Sequence, residues 1–348
     1  MKKQIPISRR NFNLGTAATL SALVAAPAIL RAESKELRVL TWEGYAEPDW
    51  VEPFKSATGA GVNVVYTGSV DEMFAKMQGS KGADFDVVAF DTSAFARYIN
   101  ANLLQPIDMT KVANAGNVIP EFKKVDPIMR EDKQYGVPFA WGSLPLIYDA
   151  SAFPQAPDTW AVMWDSQYSQ QMIALDDANN SIVLGALVLG MPDPYNLSDA
   201  EFEQVKQKLI AQKKLLLTYY AGFDEGVNAF ADNKLKLMFS MGEPQVAALK
   251  KKGVNAALSI PKEKAIGWLD CWVISAGARD VELAQAWINA CLDKKVGNLL
   301  STKKNYGNTT DSEANISIGM TYGDRLAWLL TPENFDKRVA IWNEVKAS

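Results

Sequence analysis

The chain has 348 residues, 48% of them hydrophobic, with 36 Lys and Arg against 40 Asp and Glu. That length exceeds one ordinary core and suits two lobes, while the acidic balance disfavours nucleic acid as a partner. Two cysteines, Cys271 and Cys291, and no histidine leave almost nothing from which to build a zinc or copper site.

Residues 1–32 read as a targeting segment rather than as fold. Lys2, Lys3, Arg9 and Arg10 make a basic start, and the Ala-rich run from Leu14 to Ile29 is too weakly apolar for a membrane span. Ser8-Arg9-Arg10-Asn11-Phe12-Asn13-Leu14 resembles a twin-arginine export signal, the alternative being a general secretory signal that carries paired arginines. Cleavage is expected after Ala28 or Ala32, and removal of residues 1–32 would take the net charge from −4 to −9, since five basic residues and no acidic ones are lost. The outside compartment permits a disulfide. Cys271 and Cys291 nevertheless sit in apolar patterns that suit small buried side chains better than a bridge.

Leu37 to Trp42 reads as an opening strand, followed by the loop Glu43-Gly44-Tyr45-Ala46-Glu47-Pro48 and a helix from Asp49 to Thr58. Val62 to Tyr66 is a second strand, Asp71 to Met77 a second helix, and Phe85 to Phe90 a third strand with a helix through Phe95 and Tyr98. Strand alternating with helix predicts a mostly parallel sheet, whose ligands gather at the carboxyl ends of its strands. Trp42 to Tyr45 and Asp91 to Ser93 stand there. Gly136 to Gly142 interrupts the alternation and marks a crossing into a second lobe. The second lobe holds strands at Leu144–149, 172–175 and 235–240 and a helix opened by the capping box Ser198-Asp199-Ala200-Glu201. Asp280 caps a helix through Leu292, and Thr331-Pro332-Glu333 starts a terminal helix with Pro at its first position. The fold class is α/β: two lobes of mixed sheets flanked by helices, with hinge strands between them.

The most informative stretch is Gly267-Trp268-Leu269-Asp270-Cys271-Trp272. Its alternation is that of a strand and places two indoles on one face with one carboxylate. An ionised Asp between large rings loses hydration, and only a cation or good donors can replace that water. The stretch therefore predicts a cage for a small organic cation, with indole faces adding about 0.5–2 kcal/mol each. The plainer alternative is an Asp at a strand end, exposed or bonded to backbone amides.

Taken in order, Leu40 to Tyr45, Phe85 to Val88, Gln105-Pro106-Ile107-Asp108, Val137 to Gly142 and Trp268-Leu269-Asp270 resemble the solute-binding proteins of ABC importers, spermidine/putrescine branch. The resemblance implies a two-lobed binding-protein fold that closes over its ligand. It assigns 33–140 and 270–317 to lobe I, and 141–269 and 318–348 to lobe II. It further implies that Trp42 and Tyr45 pack on a methylene chain, that Trp268 and Asp270 hold one ammonium, and that Tyr306 lies near the ligand. Asp177 and Glu243 match further acidic contacts. Asp91 and Ser93 occupy the place where the family shows Ser and Tyr. Other departures are Gly44 for the polar residue within the Trp42 to Tyr45 motif, Asn180 in place of an acid, and the replacement, near Ser240, of a tryptophan expected in the second lobe. These changes bear on which amine is bound.

The function expected is that of a monomeric periplasmic receptor, without cofactor, that hands a small cationic amine to a membrane permease. One alternative keeps the fold and binds an amino acid such as γ-aminobutyrate, which would require Arg279, Arg325 or Arg338 in the cleft. Another is a secreted hydrolase with paired carboxylates. Against it stand the missing histidine, Gly-x-Ser-x-Gly motif and phosphate-cradling loop.

Overall fold

The structure, a computed structural model, describes residues 35–348. The targeting segment expected over residues 1–32 lies outside them. Within Lys35–Ser348, two main sheets are flanked by helices. The first has eight strands, running in the order Gly307–Asn308, Gly136–Leu144, Ala265–Ser275, Val87–Asp91, Glu36–Thr41, Gly61–Tyr66. Leu104–Gln105 and Leu326–Trp328 also pair with Ala265–Ser275. The second sheet has five strands, in the order Thr218–Tyr220, Met172–Leu175, Leu237–Phe239, Leu146–Asp149, Ala256–Ser259.

Glu36–Thr41 is buried beyond its first residue, Arg38 included, and pairs in parallel with the strands on both sides, as strands covered on both faces do. The helix Pro48–Thr58 begins with proline, which needs no N–H donor there, and ends at Gly59 with φ of 68°. Ser198 and Glu201 form the expected reciprocal cap of the helix Asp199–Lys213.

Three expectations change. Gly136 to Gly142 is no interruption: Gly136–Leu144 is a nine-residue, wholly buried strand of the first sheet. It runs antiparallel to Ala265–Ser275 with a register shift opposite Asp270 and Cys271, where Phe139 bulges out of the pairing. The terminal helix spans Phe335–Ala347 and follows Asn334 at φ of 60°. Thr331, read as the start of that helix, instead donates its hydroxyl to the Ser93 carbonyl across the fold. Trp272, one of the two caged indoles, is completely buried against Trp287 and Phe139 and belongs to the core.

The chain passes between the sheets at Pro145 and again between Ser259 and Ala265. The lobe boundaries expected at 140/141 and 269/270 fall inside the two long antiparallel strands. Cys271 and Cys291 are free and buried. The first sheet also buries an ion pair: Arg38 donates Nη2 to Asp86 Oδ1 at 2.6 Å and Nε to Oδ2 at 3.0 Å.

Candidate functional site

Asp270 lies near the middle of Ala265–Ser275, opposite Asp91 on one neighbouring strand and Ala140 on the other. Tyr45 reaches it from the turn after the first strand. Gly44, at φ of 92°, allows that turn, and the Trp50 indole pins it by donating to the Tyr45 carbonyl at 3.2 Å. The Tyr45 hydroxyl then donates to Asp270 Oδ2 at 2.5 Å. Tyr306 meets Tyr45 edge-on at 6.0 Å and Trp268 edge-on at 5.6 Å, which completes an aromatic wall beside the carboxylate. Trp268 lies across the adjacent strand because Gly142 has no side chain. A Cβ there would come within 2.3 Å of Trp268 Cζ2.

The electrostatics are one-sided. Asp270 and Asp91 are 6% and 9% exposed, and neither forms a salt bridge with a described residue. Burial raises the Asp270 carboxyl well above its ordinary range, the Asp91 charge adds to this, and the Tyr45 hydrogen bond opposes it. Burial likewise raises Asp91, against the Ser93 N–H that caps it at 2.8 Å. The Tyr45 phenol rises through burial first and then through Asp270.

Glu243 follows the strand Leu237–Phe239 through Gly242, whose φ of 138° turns the chain back onto Gly136–Leu144. Its Oε1 accepts from Ser143 N at 2.8 Å, Ser143 Oγ at 2.6 Å and Tyr322 Oη at 2.7 Å. Burial raises this carboxyl against those donors. Asp177 is half-buried and caps the helix Ala178–Val188 by accepting from Asn180 N at 2.7 Å. Its carboxyl also rises, by burial and then by the charges of Asp176 and Asp91. Asp176, by contrast, is neutralised by Lys346 at 2.8 Å and accepts from the Trp342 indole.

Of the nine residues singled out in the sequence, Tyr45, Trp268, Asp270 and Tyr306 make one contact cluster, which Asp91 and Ser93 adjoin through the strand pairing. Glu243 raises the Tyr306 phenol by its charge, and Asp91 likewise raises the Asp177 carboxyl. Trp42 is half-buried on the core and joins the cluster through its carbonyl, which accepts from Tyr45 N at 3.3 Å. Ser143, Tyr322 and Phe139 had no signal of their own; they stand far along the chain from the acids and rings they support. None of Arg279, Arg325 and Arg338 bonds to any of the nine among the described residues. Arg338 is fully buried and instead donates to Pro194 O at 2.8 Å and Asn179 Oδ1 at 3.2 Å. A cavity of about 770 Å³ touches Thr92, Tyr195, Leu269 and Trp328. Leu269 alternates with Asp270, which sets this cavity on the other face of the strand from the carboxylate.

Residues 49–320 match the family described as bacterial extracellular solute-binding protein. The chain belongs to that family. The solute-binding protein is 28% identical over 273 residues to the spermidine/putrescine-binding periplasmic protein of Salmonella typhimurium, covering 75% of this chain and 74% of that one. It is 26% identical over 297 residues to the putrescine-binding periplasmic protein PotF of Escherichia coli, covering 80% and 79%. In fold it is similar to the spermidine/putrescine substrate-binding protein PotD of Streptococcus pneumoniae, with a TM-score of 0.78 at 19% identity over 90% of this chain and 98% of that one. A γ-aminobutyrate receptor, Atu4243, shares the fold at a TM-score of 0.69 and 16% identity, covering 90% and 97%. The solute-binding protein is thus a transport component with the two-lobed periplasmic-binding-protein fold, not an enzyme.

Proposed function

We propose that this solute-binding protein captures a polyamine or related small organic amine and delivers it to the membrane permease of an ABC importer. The carrying observation is Asp270: a buried carboxylate among Tyr45, Trp268 and Tyr306, facing Asp91, with no basic partner among the described residues. An ammonium would replace the water that burial removes, and the aromatic wall would cover methylenes at about 25 cal/mol per Å². Trp42, Ser93, Asp177 and Glu243 complete this reading of the site. The relatives named for binding spermidine and putrescine support the ligand class.

In the same reading, 33–140 with 270–317 and 141–269 with 318–348 form two lobes that close over the amine, biased toward the closed state by its contacts to both. The mature protein acts as a monomer in the periplasm after export by the twin-arginine route. A thermal-shift screen against putrescine, spermidine, γ-aminobutyrate and choline tests the ligand class. Amines should raise the midpoint with concentration, since stabilisation follows the ratio of ligand to dissociation constant. A shift with γ-aminobutyrate alone would overturn the reading.

A further inference from the structure

The last turn of the helix Lys294–Lys304 sets two lysines against the turn that carries Tyr45. Lys303 Nζ bridges Asp49 at 2.6 Å, and Lys304 Nζ bridges Glu47 at 3.0 Å. The bridges differ in what lies beneath them. Lys303 pairs in the open, whereas the Lys304 stem lies over Gly44, which is buried. A Cβ added at Gly44 would stand 3.7 Å from Lys304 Cδ and 3.9 Å from both Lys304 Cε and Tyr306 Cε2. Asn305, left-handed at φ of 59°, joins the two residues, so that lysine stem and tyrosine ring meet over the same glycine.

From Asp270 outward, contacts therefore run through Tyr45 and Tyr306 to Gly44 and end on Lys304. The rim at that end holds two acids, Glu43 and Glu47, and one cation. Burial first, then the charges of Asp270, Glu243 and Glu43, raise the Tyr306 phenol, so that ring senses the inner acid and the rim together. Lys304 is itself an alkylammonium, a methylene stem laid along an aromatic edge with its charged nitrogen on a carboxylate. Its bridge goes to Glu47 and not to Asp270.

Resting on the amine reading above, we infer that Lys304 is a specificity-determining residue: as a built-in amine, it occupies the station beyond Asp270 that the next charged nitrogen of a longer polyamine would take. An amine whose charge ends at Asp270 fits. One that continues past Tyr306 meets a filled space and an acid already neutralised.

The test measures 1,4-diaminobutane and spermidine by calorimetry on the mature protein, wild type and Lys304→Ala. The wild type should hold the diamine more tightly than the triamine. Lys304→Ala frees Glu47 and the space over Gly44. It should raise spermidine affinity about fivefold, the size of one partly exposed ion pair, and leave the diamine nearly unchanged. Adding Glu47→Gln to Lys304→Ala should erase that gain. A wild type that prefers spermidine, an unchanged ratio in Lys304→Ala, or a gain that survives Glu47→Gln would overturn the role of Lys304 and leave the amine reading standing. Equal weakening of both amines would do the same, since it would make Lys304 only a brace for the turn. A wild type that binds neither amine would defeat both.

Discussion

Asp86, just before the strand Val87–Asp91, and Asp270, within the neighbouring strand, are both buried carboxylates, and the chain treats them differently. Asp86, 1% exposed, is raised by burial, but the Arg38 side chain and the backbone amides of Arg279 and Arg38 bring it below its ordinary range. Asp270 receives one phenol and a second acid opposite. The first acid is complete within the fold, and the second is left for something else to complete. Burial alone does not mark a binding group; burial without a counter-charge does.

Arg38→Ala should have the largest effect of any change on this contrast. It leaves Asp86 charged, buried and unpaired, at a cost of about 3–5 kcal/mol in folding free energy, read from urea denaturation. A loss below about 1 kcal/mol would place the pair among exposed bridges of little worth. Asp270→Asn should do the reverse. Stability of the ligand-free protein should hold or rise, while amine affinity should fall by more than about 2 kcal/mol in calorimetry. Near-normal affinity would return Asp270 to a structural role.

The smallest effect is the pH slope, and its sign differs between the two acids. The folded value of Asp86 is lowered, so its contribution to stability is present above the unfolded pKa and is lost as pH falls through the folded value. The folded value of Asp270 is raised. Its contribution is full below the unfolded pKa of about 3.9 and is lost as pH climbs toward the folded value. A cation favours the ionised form, so amine affinity should increase across that same climb, at most about tenfold per pH unit for one group. Midpoints of wild type and Asp270→Asn recorded against pH should diverge there. Parallel curves would mean that Asp270 titrates alike in the folded and unfolded chain and is not perturbed by its burial.

Much of this contrast is legible in the sequence. Trp268-Leu269-Asp270 alternates as a strand does, and the want of a nearby basic residue is visible without coordinates. The fate of Trp272 is not legible, because periodicity reports the face of a strand and says nothing of how deep along it a helix lies; here Trp287 covers the second indole. Gly136–Leu144 was obscured by its own composition. Its Gly136, Pro138 and Gly142 read as loop, yet Pro138 lies next to the bulge and Gly142 makes room for Trp268. The terminal helix was misplaced because Thr331-Pro332-Glu333 carries a good local start signal that a long-range bond to Ser93 overrides. Tyr322 and Ser143 escaped because what selects them is convergence in space on Glu243, 79 and 100 residues away.

The strand Ala265–Ser275 is made late and placed centrally, between Gly136–Leu144 and Val87–Asp91, and is itself flanked by Leu326–Trp328. On the ribosome, both earlier strands must wait with bare hydrogen-bonding edges until more than three-quarters of the chain has emerged. Exposed edges invite pairing with other chains. A nascent product that stops before residue 265 is therefore a specific hazard for aggregation, and chaperone demand should peak during that interval of synthesis.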